Sequence, residues 1–281
     1  MRTPLAGVIG WPVSHSLSPR LHGYWLAAHK IAGAYVRMPV QREQFARVVE
    51  SLTCAGFAGV NVTVPHKEAA FALAGSCDDL ARVTQAANLL IFQEDGRVLA
   101  RNTDVFGLRR SLETELGLAT LKSQHAVIVG AGGAARAAVM ALCELEAAQI
   151  TVVNRSMARA EALLATLRPH LKTPLSVASP AQWQGLAEEV DLLINCTSIG
   201  LGDESAFMLD LARLPPAARV CDMVYRHGGT LLVHTARGLG LSAIDGLGML
   251  IYQAVPSFAA FYGVTPDVTP ALRHHLESET P

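Results

Sequence analysis

Short aliphatic runs alternate with stretches whose apolar residues recur every three or four positions, nearly throughout the chain. The runs have the length and composition of buried strands, and the stretches between them that of amphipathic helices. Such alternation is satisfied by parallel-rich sheets with helices on both faces, so the fold class is α/β. Strands are predicted at 5–9, 34–39, 59–64 and 88–92, with helices near 19–30, 42–54 and 66–74 and a polar-faced helix near 104–117. Ser18 followed by Pro19 reads as an N-cap and a first helical residue. A second series starts at 126, with strands near 126–130, 150–154, 191–195 and 219–224. In it Ser156 caps a helix carrying Ala160, Leu163, Leu164 and Leu167 at helical spacing. Final helices near 248–262 and 270–278 can return to pack on the first series. Two such units leave a cleft, a common place for a ligand.

Composition removes several classes of function. Of 281 residues 51% are hydrophobic and 17% charged, ample for a core, and the net charge of -1 comes without any block of like charge. Neither nucleic acid nor an anionic membrane surface is expected as a partner. No apolar run nears the roughly 20 residues needed to span a bilayer, and the N-terminal apolar stretch is too short for a signal peptide. Five scattered cysteines without a Cys-x-x-Cys pair read as reduced thiols of a cytoplasmic protein. Ten histidines show no ligand spacing, so no metal is expected.

Residues 130–135, Gly-Ala-Gly-Gly-Ala-Ala, follow an apolar strand and lead into a helix. This is G-x-G-x-x-A in the strand–turn–helix setting of a dinucleotide site. Gly130 allows the tight turn and Gly132 the approach of a pyrophosphate. Gly133 and Ala134 open the helix whose N-terminus favours the anion, and Ala135 keeps that helix close to the strand. The next strand ends in Asn154-Arg155-Ser156, with Arg159 one turn later, where an NAD protein usually places a carboxylate. Two guanidinium groups suit a 2′-phosphate, so the expected cofactor is NADP(H).

The first half holds a polar set in apolar surroundings. Lys67 closes the run Asn61-Val-Thr63-Val-Pro-His-Lys, in a chain with 4 lysines among its 23 basic residues. Lysine can exchange a proton near neutrality where arginine cannot, which suits acid–base chemistry. Ser16 and Ser18 lie at a helix N-terminus, where hydroxyls and free N–H groups suit a carboxylate. Asn61 and Thr63 share one face of a strand. Asn88 begins a strand, and Asn102-Thr103-Asp104 begins the long helix.

Taken in order, these pieces resemble the shikimate dehydrogenase family: Gly-Trp-Pro-Val-Ser-His-Ser-Leu-Ser-Pro (10–19), Asn-Val-Thr-Val-Pro-His-Lys (61–67), Asn-Thr-Asp (102–104), Gly-Ala-Gly-Gly-Ala-Ala-Arg (130–136), Asn-Arg-Ser (154–156), Asn-Cys-Thr-Ser-Ile-Gly (195–200) and Asp-Gly-Leu-Gly-Met-Leu (245–250), with Gln253. The resemblance runs nearly end to end. It implies an N-terminal substrate and catalytic domain over 1–104, completed by 247–281, and a Rossmann-like NADP-binding domain over 105–246. It implies NADP(H)-dependent interconversion of 3-dehydroshikimate and shikimate, with Lys67 and Asp104 as the catalytic pair. Ser16 and Ser18 would bind the carboxylate, and Asn61, Thr63, Asn88 and Gln253 the ring hydroxyls. Asn195, Thr197 and Ser198 would lie along the cofactor, and Tyr225, Gly246 and Met249 would border the nicotinamide or substrate. Monomer and homodimer both suit the length. Gln85, Leu89, Arg101, Val105 and Leu231 depart from the family's usual residues and bear on the choice of acid. A relative acting on quinate or another cyclic hydroxy acid is the alternative. A non-catalytic NADP(H)-binding module needs neither Lys67 nor Asp104, and a folate dehydrogenase has no use for the Ser-x-Ser segment or Gln253.

Overall fold

The computed structural model describes residues 4–200 and 209–278. Two compact units emerge, one from the segments up to Asp104 and from Leu250 onward, the other from Val105–Met249. The boundary falls inside the helix Leu247–Tyr262.

The first unit carries strands β1 (Leu5–Gly10), β2 (Ala34–Pro39), β3 (Phe57–Val62), β4 (Ser76–Cys77), β5 (Leu89–Phe92) and β6 (Val98–Arg101) in the order β2-β1-β3-β5-β6-β4. β1 pairs in parallel with β2 and β3, and β4 with β6, whereas β5 runs antiparallel to both β3 and β6. The sheet is therefore mixed. Its antiparallel part is a β5–β6 hairpin that turns at Asp95-Gly96, with Gly96 at φ +81° and Asp95 Oδ1 accepting from the Arg97 N–H at 3.1 Å. Side chains alternate across β1 and β3. Ile9, Val60 and Val62 enter one apolar cluster with Phe45 and Val49. Val8 joins Tyr35, Leu89 and Phe261 on the opposite face. Each fully buried side chain of this size contributes about 1.5–3 kcal/mol.

The helix Ser18–Ala28 begins one residue earlier than the capping pattern requires. Leu17 occupies the cap position with no side-chain cap bond, and Ser18 is already helical. The Ser18 hydroxyl is engaged instead by Ser16 Oγ at 3.2 Å. Ser18 is thus not the N-cap that its place before Pro19 suggested.

The second unit holds β7 (His125–Val129), β8 (Gln149–Val153), β9 (Leu175–Ala178), β10 (Leu192–Asn195), β11 (Arg219–Asp222) and β12 (Ser242–Ile244), ordered β12-β11-β10-β7-β8-β9 and parallel throughout. Counted within the unit, this is the doubly wound order 3-2-1-4-5-6, whose switch point lies between β7 and β10. Ser156 caps the helix Met157–Leu167 by accepting from the Arg159 N–H at 3.3 Å, as its position predicted. No helix of the described residues is long and apolar enough to cross a membrane.

Candidate active site

In the first unit, one polar network gathers residues from four distant segments. Lys67 opens the helix Lys67–Leu73, directly after the turn that leaves β3. Its Nζ meets Asp104 Oδ2 at 2.6 Å, with side-chain exposures of 15% and 6%. Asp104 opens the helix Asp104–Glu115, and Asn102 Oδ1 accepts from its N–H at 3.0 Å. Asn88, just before β5, aims its amide at the same carboxylate. Its Nδ2 lies 2.9 Å from Asp104 Oδ1, 2.9 Å from Thr103 Oγ1 and 3.1 Å from Gln253 Oε1. An amide nitrogen has two hydrogens, so three acceptors oversubscribe it and its direction is fixed. Asn88 Oδ1 accepts from the Thr103 N–H at 2.7 Å, and Thr103 Oγ1 donates to the Gln253 carbonyl at 2.9 Å.

Lys67 keeps two ammonium hydrogens without a protein acceptor among the described residues, and the side chain is partly exposed. Beside it His66 is buried, stacked on Phe45 at 4.8 Å, with Nε2 2.7 Å from the Val40 carbonyl. Burial lowers the His66 pKa, so no second cation stands next to Lys67 at neutral pH. Thr63 follows β3 and packs its methyl on Gly10, where a Cβ would sit 2.5 Å away. Ser16 and Ser18 are buried, the Ser18 N–H donates to Ser16 Oγ at 3.3 Å, and Arg37 Nε donates to the Ser16 carbonyl at 2.9 Å. Of the residues expected at a substrate site, the hydrogen bonds join Lys67, Asp104, Asn88, Asn61 and Gln253. The serine pair and Thr63 stand on neighbouring turns, and Tyr225 belongs to the second unit.

Leu89 packs beside this network, directly opposite Asn61 in the antiparallel β3–β5 pair. It is fully buried in the apolar cluster with Val8, Tyr35 and Phe261. Gln85 adopts a left-handed conformation, φ 49° and ψ 37°, at the end of the helix Asp79–Thr84, where glycine costs least. Thr103, named in the sequence within Asn102-Thr103-Asp104, completes the network with Tyr35 and Ser257, which were not singled out. Ser257 had a legible signal, since it sits four residues after Gln253 in an otherwise apolar helix.

In the second unit, the turns after β7, β8 and β10 meet. Gly130 takes φ +107°, and a Cβ there would lie 3.1 Å from Thr197 Cγ2. Gly132 caps the helix Gly133–Glu144 with no side-chain bond to the first-turn N–H groups. A Cβ at Gly132 would meet nothing within 4 Å. Packing therefore does not demand glycine there; the open cradle in front of the helix N-terminus fits a pyrophosphate. Arg159 Nε donates to the Ala131 carbonyl at 3.0 Å, fastening the turn after β8 to this loop. Arg155 is exposed alongside, and neither arginine pairs with a carboxylate among the described residues. Asn154 Nδ2 donates to the Ser156 carbonyl at 2.8 Å, which shapes that turn.

Asn195 is held by Asp222, whose Oδ1 accepts from its Nδ2 at 2.9 Å; Asn195 Oδ1 in turn accepts from the N–H and Oγ1 of Thr197, at 3.0 and 2.7 Å. Asp222 also accepts from Thr230 Oγ1 at 2.7 Å, and its burial raises its pKa. Ser198 is exposed on the turn after Thr197, between partly buried neighbours. Gly246 serves close packing, since a Cβ would fall 2.2 Å from the Met223 carbonyl oxygen. Met249 is buried in the first turn of the following helix. Asp222 and Thr230 are further residues that sequence reading passed over; a carboxylate ending the apolar run Val-Cys-Asp was the available sign.

Comparison with known proteins gives the family. Residues 8–90 match the family model for the shikimate dehydrogenase substrate binding domain, and residues 112–200 that for shikimate / quinate 5-dehydrogenase. The chain is 45% identical over 269 residues to shikimate dehydrogenase (NADP(+)) of Rhodospirillum rubrum, covering 96% of this chain and 95% of that protein. It is similar to the crystal structure of shikimate 5-dehydrogenase from Thermus thermophilus in complex with NADP(H) and shikimate, at 32% identity and TM-score 0.83 over 98% of each chain. It is also similar to quinate dehydrogenase from Corynebacterium glutamicum in complex with NAD, at 28% identity and TM-score 0.87 over 98% of each chain. With matched models in both units and relatives at this identity over nearly its whole length, the chain belongs to the shikimate dehydrogenase family.

Proposed function

We propose that this protein is an NADP-dependent shikimate dehydrogenase, interconverting 3-dehydroshikimate and shikimate. The observation that carries the reading is the Lys67–Asp104 pair, 2.6 Å apart and set among amide and hydroxyl groups. A ketone being reduced becomes an alkoxide, which needs a proton and a positive charge at its oxygen. Lys67, with hydrogens to spare, supplies both; in oxidation the neutral amine takes the proton back. Asp104 orients Lys67 and shares the hydroxyl hydrogen bond. Asn88, Gln253 and Thr63 present polar groups suited to ring hydroxyls, and Ser16 with Ser18 suits a carboxylate. NADPH, when bound, supplies the hydride. Gly130, Gly132 and the first turn of the helix Gly133–Glu144 would hold its pyrophosphate, Asn154, Arg155, Ser156 and Arg159 its 2′-phosphate. Asn195, Thr197, Ser198, Tyr225, Gly246 and Met249 would line the remainder.

The test is initial rates of nicotinamide reduction with shikimate and with quinate, each with NADP and with NAD, for wild type and Lys67→Ala. Turnover is expected with shikimate and NADP, falling at least about 10²-fold in the variant with NADPH binding retained. Near-wild-type turnover of Lys67→Ala rejects the acid–base assignment; preference for quinate or NAD rejects the substrate or cofactor.

A further inference from the structure

We infer that Asn61 is a positioning residue that holds Asn88, and through it the Asp104 carboxylate, and that it does not touch the substrate. This rests on the shikimate dehydrogenase reading above and replaces the ring-hydroxyl contact that family resemblance gives Asn61. The argument is one of valence. Asn61 is buried on β3, and both hydrogens of its Nδ2 are spoken for: one reaches the Asn88 carbonyl at 3.1 Å, the other Ser257 Oγ at 2.8 Å. Its Oδ1 accepts from the Tyr35 hydroxyl at 2.8 Å. A substrate hydroxyl could take an Asn61 hydrogen only by displacing the Asn88 carbonyl or Ser257 Oγ, and the second lone pair of Oδ1 sits on a side chain only 6% exposed.

What Asn61 grips is the backbone of the residue that aims at Asp104. The Asn88 carbonyl also accepts from the Val62 N–H at 2.8 Å, so β3 clamps it twice, and its N–H donates to the Arg101 carbonyl at 3.1 Å. Beyond that clamp the Asn88 amide reaches Thr103, Asp104 and Gln253. Ser257 Oγ donates to the Gln253 carbonyl at 3.3 Å, so the helix that presents Gln253 is tied to the same amide. The order is Tyr35 and Ser257, then Asn61, then Asn88, then Asp104 and Lys67. The hydrogen bonds of Asn61 and Ser257 end on Tyr35, Asn88, Gln253 and each other, one step short of the ion pair.

A double-mutant cycle on kcat/KM for shikimate tests the order, using wild type, Asn61→Leu, Asn88→Ala and the double variant. Asn61→Leu is expected to lower kcat/KM about tenfold, through kcat more than through the KM for NADP. In the Asn88→Ala background the same change is expected to cost less than about twofold, because the link it acts through is gone. Tyr35→Phe, a milder change, should lower kcat in the same direction and lose that effect in the Asn88→Ala background. Equal losses in both backgrounds would overturn the inference, since Asn61 would then act on the ligand by itself. If wild type does not oxidise shikimate, the substrate reading fails separately. The crystal structure of Asn61→Leu then decides: a displaced Asn88 that has left Asp104 supports the positioning role, and an unmoved Asn88 ends it.

Discussion

His22 offers a measurement of what burial does to an imidazole in this fold. It lies on the inner side of the helix Ser18–Ala28, stacked on Tyr35 at 3.9 Å and 9°, edge-on to Trp25 and near Phe258. Neither ring nitrogen has a hydrogen-bond partner among the described residues. Burial lowers its pKa from 6.5 to about 3. A depressed histidine pKa means that the unfolded chain binds the proton first. The stability His22 contributes is thus complete above the unfolded pKa and is lost as pH falls from about 6.5 toward 3. From pH 7 to pH 5 the unfolded imidazole goes from mostly neutral to nearly fully protonated while the folded one stays neutral, which removes about 2 kcal/mol. Any folded pKa below about 4 gives the same result. His22→Phe keeps a ring over Tyr35 and removes two unsatisfied nitrogens, a gain of about 1–3 kcal/mol set against crowding of about 1 kcal/mol or more. Urea unfolding of wild type and His22→Phe at both pH values, followed by far-ultraviolet circular dichroism, gives the comparison. The variant's advantage should be about 2 kcal/mol larger at pH 5 than at pH 7. An advantage independent of pH would refute the reasoning, because His22 would then ionise or find a partner inside the folded protein.

Glycines in the second unit should separate by what a Cβ meets. Gly132→Ala is expected to leave thermal stability within about 0.5 kcal/mol while weakening NADP binding at least about tenfold by calorimetry. Gly246→Ala, which drives a Cβ against the Met223 carbonyl, should cost about 2 kcal/mol or more in a thermal melt. Gln85→Gly removes a left-handed strain of about 1–2 kcal/mol against a glycine entropy cost of about 0.5–1 kcal/mol, so a stabilisation of about 0.5–1 kcal/mol is expected in urea. Arg159→Ala should raise the KM for NADP about tenfold and hardly alter that for NAD; equal changes would show that the guanidinium serves only the loop around Ala131.

The doubly wound unit was legible because its parts are local: β7, the glycine turn and the following helix occupy one continuous stretch, and Ser156 caps its helix by the rule that names it. The weaker strands were not. β4 has two residues, and β9 and β12 are short runs at the sheet's margins, where tertiary pairing decides the conformation. The β5–β6 hairpin did carry a signal in Asp95-Gly96, which alternation with helices overshadowed. Lys67, Asn88, Asp104 and Gln253 could be picked out as residue types in motifs. That Asn61 spends its amide inside the protein could not, because Tyr35 and Ser257 reach it from 26 positions upstream and 196 positions downstream.

That last separation has a consequence for the chain as it is made. The second unit is one uninterrupted stretch and can fold while its downstream residues are still in the ribosome. The first unit cannot finish: the acceptors for Thr103 Oγ1 and Asn61 Nδ2 on Gln253 and Ser257 do not yet exist when the residues that need them emerge. Until then Asn61 and Thr103 carry open valences beside Lys67 and Asp104. The polar network is therefore among the last things the chain completes, and a molecule shortened before Leu250 would hold the ion pair's residues without the helix that locks them in place.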